Sequence, residues 1–102
     1  YRATNPDGVM RFEQLGHRAK PKTPPKQPLG AEVNWRTLEK MTAPTLLVTG
    51  EADLYAPPPL QAMVAQHLPN HRLETLREAG HAPYWERPDA FNGMVLEFLS
   101  TN

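Results

Sequence analysis

The segment TLLVTG, residues 45–50, constrains the fold of this chain more than any other feature. It is a continuous apolar run bounded by proline and ended by glycine, which is typical of a strand buried on both faces of a parallel sheet. A loop over residues 51–56 follows. The three prolines at 57–59 then precede a short helix with one apolar face, which we predict to end near Pro69. The order strand, loop, helix indicates one unit of an α/β sheet.

The chain beyond residue 30 continues this alternation. Residues 31–41 space apolar side chains by three, which predicts a short helix, and residues 72–76 are a second strand candidate. Residues 88–99 space apolar side chains by three and four, which predicts a helix with a strong apolar face. We therefore predict an α/β fold with a mostly parallel sheet. Two strands alone would leave two exposed edges and little apolar surface on their faces, so this sheet needs partner strands.

The first 30 residues differ in character. The sequence NPDG at residues 5–8 predicts a turn, and the alternating residues 9–12 predict a strand or hairpin arm. The stretch KPKTPPKQP, residues 20–28, carries four of the 12 prolines and three lysines, which favours an extended loop. We therefore divide the chain into two parts, residues 1–30 and residues 31–102.

Charge and cysteine content exclude several classes of function. Eleven basic residues balance 11 acidic ones, so no net field draws the chain to nucleic acid or to an anionic membrane surface. Without cysteine there is no disulfide, thiolate zinc site or cysteine nucleophile, which fits a reducing compartment. No spanning segment is visible. We expect a cytoplasmic protein that acts on a small molecule.

Two loops follow the predicted strands and carry candidate catalytic groups. Asp53 lies three residues beyond Gly50, and His81 follows a glycine at the start of GHAPYWERP. Functional groups in open α/β sheets gather at the carboxyl ends of the strands, so parallel neighbouring strands would bring the two side chains together. A carboxylate that accepts the Nδ1 hydrogen of an imidazole fixes its tautomer and stabilises the imidazolium. The pair would form half of a relay that activates a nucleophile.

These loops carry two motifs in a fixed order. The pattern is a strand followed by G-x-x-D-x-x-x-P, and later G-H-x-P-x-x-E-x-P with an aromatic residue in the last helix. It resembles the last two strand-helix units of the α/β-hydrolase superfamily, and the resemblance covers residues 31–102. It also implies that residues 1–30 hold the segment leaving that family's cap region. The matching positions are Gly50, Asp53, Pro57, Gly80, His81, Pro83, Glu86, Pro88 and Phe91.

The resemblance implies roles for five side chains. Asp53 would be the acid and His81 the general base of a nucleophile-Asp-His triad that hydrolyses an ester or a related carbonyl compound. Leu54 and Tyr55, beside the acid, and Tyr84, after the histidine, would contact the substrate. No cofactor and no metal ion is implied.

Two further carboxylates lie close to these residues in the sequence. Glu51 is an alternative acid, but side chains two residues apart in an extended loop point in different directions, which favours Asp53. Glu86 is interpreted as structural, anchoring the last helix through its N-terminal amides, where a carboxylate suits the helix dipole.

One part of the family pattern is missing. The family's nucleophile lies far upstream on a G-x-S-x-G turn, whereas the only serine here is Ser100, after the predicted final helix. We therefore expect the nucleophile and the oxyanion hole to come from an N-terminal portion of the same hydrolase, without which this part of the fold is incomplete.

Four alternatives stay open at this point. An aspartate nucleophile would make the enzyme an epoxide or haloalkane hydrolase, and carbon-carbon bond hydrolases also place aromatic residues after the histidine. A non-catalytic interaction module would use the two PxxP spacings at residues 21–24 and 25–28 to dock on an aromatic groove. The last alternative is a domain that has kept the fold and lost catalysis.

Overall fold

The computed structural model describes residues 3, 5–19, 26, 28, 30–31 and 33–101. From residue 35 onward, helices and strands alternate, which confirms the α/β prediction. The loop predicted over residues 20–28 falls almost wholly outside the described residues. The elements are α1 (Pro6–Ala19), α2 (Trp35–Glu39), β1 (Thr45–Gly50), α3 (Pro58–Ala65), β2 (His71–Leu76), α4 (Pro83–Glu86) and α5 (Pro88–Thr101).

The two strands form a parallel pair connected through α3. Thr45 lies opposite His71 and Gly50 opposite Leu76, with six residue pairs in register. The ladder continues beyond the strand ends, because the amide of Glu51 donates to the carbonyl of Leu76 and the amide of Ala52 donates to the carbonyl of Ala79, both at 2.9 Å. The two loops therefore leave the same edge of the sheet side by side.

The backbones cross most closely at Gly50. A Cβ atom at this position would lie 2.1 Å from the carbonyl oxygen of Gly80 and 2.4 Å from that of Ala79. Neither oxygen is on a flexible side chain that could rotate away. Glycine at position 50 is thus required by the approach of the second loop.

Burial is concentrated at the carboxyl end of the sheet. Thr49 and Gly50 are buried, whereas the first four residues of β1 are only half-buried. The prediction that this strand is buried on both faces is therefore wrong for those four residues, because β1 has only β2 beside it among the described residues. Two apolar side chains of α5 are also uncovered, with Leu96 66% and Leu99 64% exposed. The buried apolar side chains of the described residues include Val9, Ala65, Leu68, Leu76 and Ala79.

The N-terminal prediction is wrong, because residues 5–12 form neither a turn nor a strand but the start of α1. The Asn5 side chain accepts from the amide of Gly8 at 3.1 Å, and Pro6 occupies the first helical position, where its missing N–H costs nothing. Val9, Phe12 and Leu15 recur at spacings of three, which is a helical period. The ring of Phe12 packs edge-on against Trp85 at a centroid distance of 6.0 Å.

The other predicted elements are confirmed with shifted ends. The α2 helix begins only at residue 35, because Asn34 and Thr37 form a capping box before it. The α3 helix ends at Ala65, before the predicted limit near Pro69. The α4 helix was not predicted at all, since four residues are too few to display a helical period. Within the described residues, no helix has the length and apolar character to cross a membrane.

Replacing Gly50 by alanine is expected to destabilise the protein by about 1–3 kcal/mol or more, because the new methyl group overlaps backbone oxygens. The control is Gly93→Ala in α5, where a Cβ atom meets nothing within 4 Å. There alanine should stabilise the helix by about 0.5–1 kcal/mol. Urea unfolding of the protein that carries residues 1–102 measures both changes, and equal stabilities of the two variants would contradict the crossing described above.

Candidate active site

Asp53 lies in the loop that follows β1. Its side chain is only 6% exposed. Its Oδ1 atom accepts from the amide of Tyr55 at 2.8 Å and from that of Ala56 at 3.0 Å. The Thr49 hydroxyl donates to the carbonyl of Ala56 at 3.2 Å, which fixes the far end of the loop. The loop thus folds around the carboxylate, because an aspartate side chain in a turn commonly accepts from backbone amides a few residues further along the chain.

His81 meets this carboxylate from the neighbouring loop. Its Nδ1 atom lies 3.0 Å from Oδ2 and 3.2 Å from Oδ1 of Asp53. A carboxylate only accepts, so the imidazole nitrogen in this contact must be the donor, and in the neutral ring Nε2 is then the acceptor. The His81 side chain is 62% exposed, in contrast to its partner. The structure therefore brings together the two residues that the sequence predicted to meet.

The surroundings of Asp53 hold its pKa below the usual value of 3.8. The amide of Ala56 is the largest cause, and the contacts with His81 and with the amide of Tyr55 act in the same direction. Burial opposes them by penalising the charged form, but the hydrogen bonds outweigh it. Asp53 is thus an ionised acceptor at neutral pH, suited to stabilising a positive charge on His81.

The three predicted substrate contacts occupy different surroundings. Tyr55 is 81% exposed, and its ring lies over that of His81 with centroids 5.0 Å apart. Leu54 is 92% exposed and lies beside it on the same loop. Tyr84 contacts the ring of Phe91 edge-on at 6.0 Å and lines a groove of about 550 Å³ against α1. Tyr55 therefore lies beside His81, and Tyr84 lines the groove against α1.

The groove is also lined by residues of α1 that the sequence pattern did not single out. Met10, Arg11 and Gln14 line it from α1, facing Tyr84 and Trp85. They were missed because residues 5–12 were interpreted as a turn and a strand, which places no helix here. The recurrence of Val9, Phe12 and Leu15 was the available signal.

The interpretation of Glu86 as an anchor of the last helix needs correction. Glu86 is buried, and its Oε2 atom accepts from the amide of Gly80 at 2.8 Å and from that of Ala82 at 3.1 Å. These amides lie on either side of His81, whereas the last helix begins at Pro88. The described hydrogen bonds of Glu86 thus hold the histidine loop.

Comparison with known proteins gives a consistent set of similarities. The model of the α/β-hydrolase family described as TAP-like protein matches residues 16–102. The chain is 47% identical to protein ABHD14A of Mus musculus over 57 residues, which are 55% of this chain and 22% of that protein. It is 36% identical to the 2-hydroxy-6-oxononadienedioate/2-hydroxy-6-oxononatrienedioate hydrolase of Cupriavidus pinatubonensis over 62 residues, which are 61% of this chain and 22% of that enzyme.

A solved structure supports the same relationship. A thermophilic esterase from Thermogutta terrifontis superposes with a TM-score of 0.63 and 27% identity over 65% of this chain and 24% of that one. The chain spans 22% of the length of both curated relatives given above.

Replacing Asp53 by asparagine should reduce the pH dependence of folding. Because folding lowers the pKa of Asp53 from 3.8, its charge contributes stability that is fully present above the unfolded pKa and is lost as the pH falls through the folded pKa. The wild type should therefore have a larger free energy of unfolding than Asp53→Asn at about pH 7. This difference should be smaller below about pH 3. Urea titrations at both pH values measure the difference, and a pH-independent difference would contradict the hydrogen-bonded, ionised state.

Proposed function

Since the chain belongs to the TAP-like family of α/β-hydrolases, we propose that residues 31–102 are the C-terminal part of a hydrolase domain. In this proposal, they supply two members of a nucleophile-Asp-His triad, the acid Asp53 and the general base His81. The whole enzyme hydrolyses an ester or a related carbonyl compound.

One observation carries the proposal: the contact between His81 Nδ1 and Asp53 Oδ2 at 3.0 Å, with the acid buried and the imidazole exposed. Two backbone amides hold the other carboxylate oxygen, so the acid keeps its orientation. An exposed imidazole with an orienting carboxylate on Nδ1 has Nε2 available for proton transfer. This is the arrangement that a base needs when the nucleophile comes from another part of the fold.

The chemistry assigned to His81 is two proton transfers in each half of the reaction. His81 Nε2 takes the proton of the nucleophile's hydroxyl as that oxygen bonds to the substrate carbonyl carbon. The resulting imidazolium then gives the proton to the leaving alkoxide as the C–O bond breaks. Water then repeats the sequence on the acyl-enzyme, its proton passing through His81 to the nucleophile's oxygen. Asp53 stays ionised throughout and stabilises the imidazolium.

The nucleophile and the oxyanion hole belong, in this proposal, to an N-terminal portion of the same hydrolase. The half-buried β1 and the uncovered apolar side chains of α5 support such a partner, because both present surface that further strands and helices would bury. Residues 1–30 are assigned to the exit from the cap region. The packing of Phe12 against Trp85 supports this, since it holds α1 over the histidine loop. The absence of cysteine fits the cytoplasm as the compartment.

The substrate is assigned to the exposed side of His81. Tyr55 and Leu54 offer apolar surface on the loop of the acid, and Tyr84 extends it toward the groove against α1. These side chains suit a substrate with an apolar group near the reacting carbonyl. The similarity to an esterase supports an ester as the first substrate class to test.

A second candidate function is the hydrolysis of a carbon-carbon bond. The relative from Cupriavidus pinatubonensis is named for a 2-hydroxy-6-oxononadienedioate, a compound whose name contains no ester or amide. Hydrolysis of such a compound must therefore break a bond between carbons. A dienedioate of this kind and a p-nitrophenyl ester, assayed side by side with product identification, distinguish the two candidates.

Removing either member of the proposed pair should abolish most of the activity. In the enzyme that carries residues 1–102 together with the N-terminal portion, His81→Ala and Asp53→Asn are each expected to lower kcat by about 10³- to 10⁴-fold. Hydrolysis of p-nitrophenyl butyrate or of the dienedioate provides the measurement. His17→Ala, an exposed histidine of α1, is the matched control and should retain activity. Activity that survives in His81→Ala would refute the proposed function.

The partner is tested separately by native mass spectrometry of the purified 11.5 kDa chain, with and without the N-terminal portion of the hydrolase. We expect a one-to-one complex, and poor solubility or an unfolded state for the chain alone, because too little apolar surface is covered. A chain that is monomeric alone and melts cooperatively would contradict this expectation and would favour the interaction-module alternative.

A further inference from the structure

Glu86 is a buried carboxyl group for which the reaction outlined above has no use. It is 6% exposed and lies at the end of α4, close to the histidine but separate from the contact between His81 and Asp53. A carboxylate is costly to bury unless its oxygens are hydrogen-bonded. The burial of this carboxyl group therefore depends on local hydrogen-bond donors.

A single oxygen of Glu86 binds the backbone on both sides of His81. Oε2 accepts from the amide of Gly80 at 2.8 Å and from the amide of Ala82 at 3.1 Å. The two amides belong to the residues immediately before and after His81. Their shared acceptor fixes the direction in which His81 leaves the backbone.

The local sequence is arranged so that this contact forms. The carbonyl of Ala82 accepts from the amides of Trp85 and Glu86 at 2.9 and 3.0 Å, which closes the single turn of α4 and returns Glu86 to the loop. Pro83 begins that turn with a preset φ. At Gly80 a Cβ atom would lie 3.1 Å from Oε1 of Glu86, so glycine leaves room for the carboxyl group.

We propose that Glu86 is a positioning residue for His81, acting through the amides of Gly80 and Ala82 to hold the imidazole against Asp53. The proposal rests on the proposed function of His81. Most of the imidazole is exposed, so its placement depends on the backbone beneath it and on the bond to Asp53. A displacement of about 1 Å at a reacting group costs on the order of 10²-fold in rate. Glu86 thus acts on kcat rather than on substrate affinity.

The test compares Glu86→Ala and Glu86→Gln in the enzyme that carries residues 1–102 with its N-terminal portion. The substrate is p-nitrophenyl butyrate, and active sites are counted by titration with a phosphonate ester, so that unfolded protein does not enter kcat. Glu86→Ala leaves the amides of Gly80 and Ala82 without this acceptor and should lower kcat by about 10- to 100-fold with KM nearly unchanged. Glu86→Gln keeps a carbonyl oxygen at the same reach, and should recover most of that loss.

A double-variant comparison separates positioning from a purely structural role. In a His81→Ala background, Glu86→Ala should have no further effect on the residual rate, because the group it positions is gone. Equal fold-losses in both backgrounds would overturn the proposal, as would an unchanged kcat in both Glu86 variants. Glu97→Gln, an exposed glutamate of α5, is the matched control. If His81→Ala itself is fully active, the proposed function fails; if only the Glu86 variants are unaffected, only this inference fails.

Discussion

The close backbone crossing at Gly50 is the constraint on which the rest of the structure depends. The loop after β2 passes within van der Waals reach of Gly50, and the amide of Ala52 donates to Ala79 across the gap. The parallel register delivers both loops to the same edge, and this crossing converts that proximity into contact between their side chains. A shift of the register by one residue would reverse every side chain of the shifted strand and separate the pair.

The candidate site assigns different environments to its two titratable groups. Asp53 is buried and accepts from two backbone amides, which lower its pKa and favour the ionised form. His81 is exposed, which suits the proton exchange proposed for it with groups from another part of the fold. Backbone amides donate on both loops, those of Tyr55 and Ala56 to Asp53, and those of Gly80 and Ala82 to Glu86. Such contacts persist when surface side chains change.

The sequence predicted the features that leave a local pattern and missed those that do not. The strands and α5 followed from apolar runs and spacing, and the meeting of Asp53 and His81 followed from the parallel order of two strands. The start of α1 was missed because asparagine, proline, aspartate and glycine favour turns and helix N-termini alike. The contacts of Glu86 were missed because a carboxylate that binds backbone amides requires no particular side chain in its partners.

The separation of Asp53 and His81 by only 28 positions along the chain also bears on how the proposed hydrolase would acquire activity. One strand-helix-strand unit contains both groups, so closing the loop between them costs little chain entropy, and their contact is a local folding event. The nucleophile proposed to lie on a distant segment would join them only through long-range pairing of strands. During refolding, the acid and base are therefore expected to meet before the catalytic centre is complete, and the recovery of turnover reports the slower of these two events.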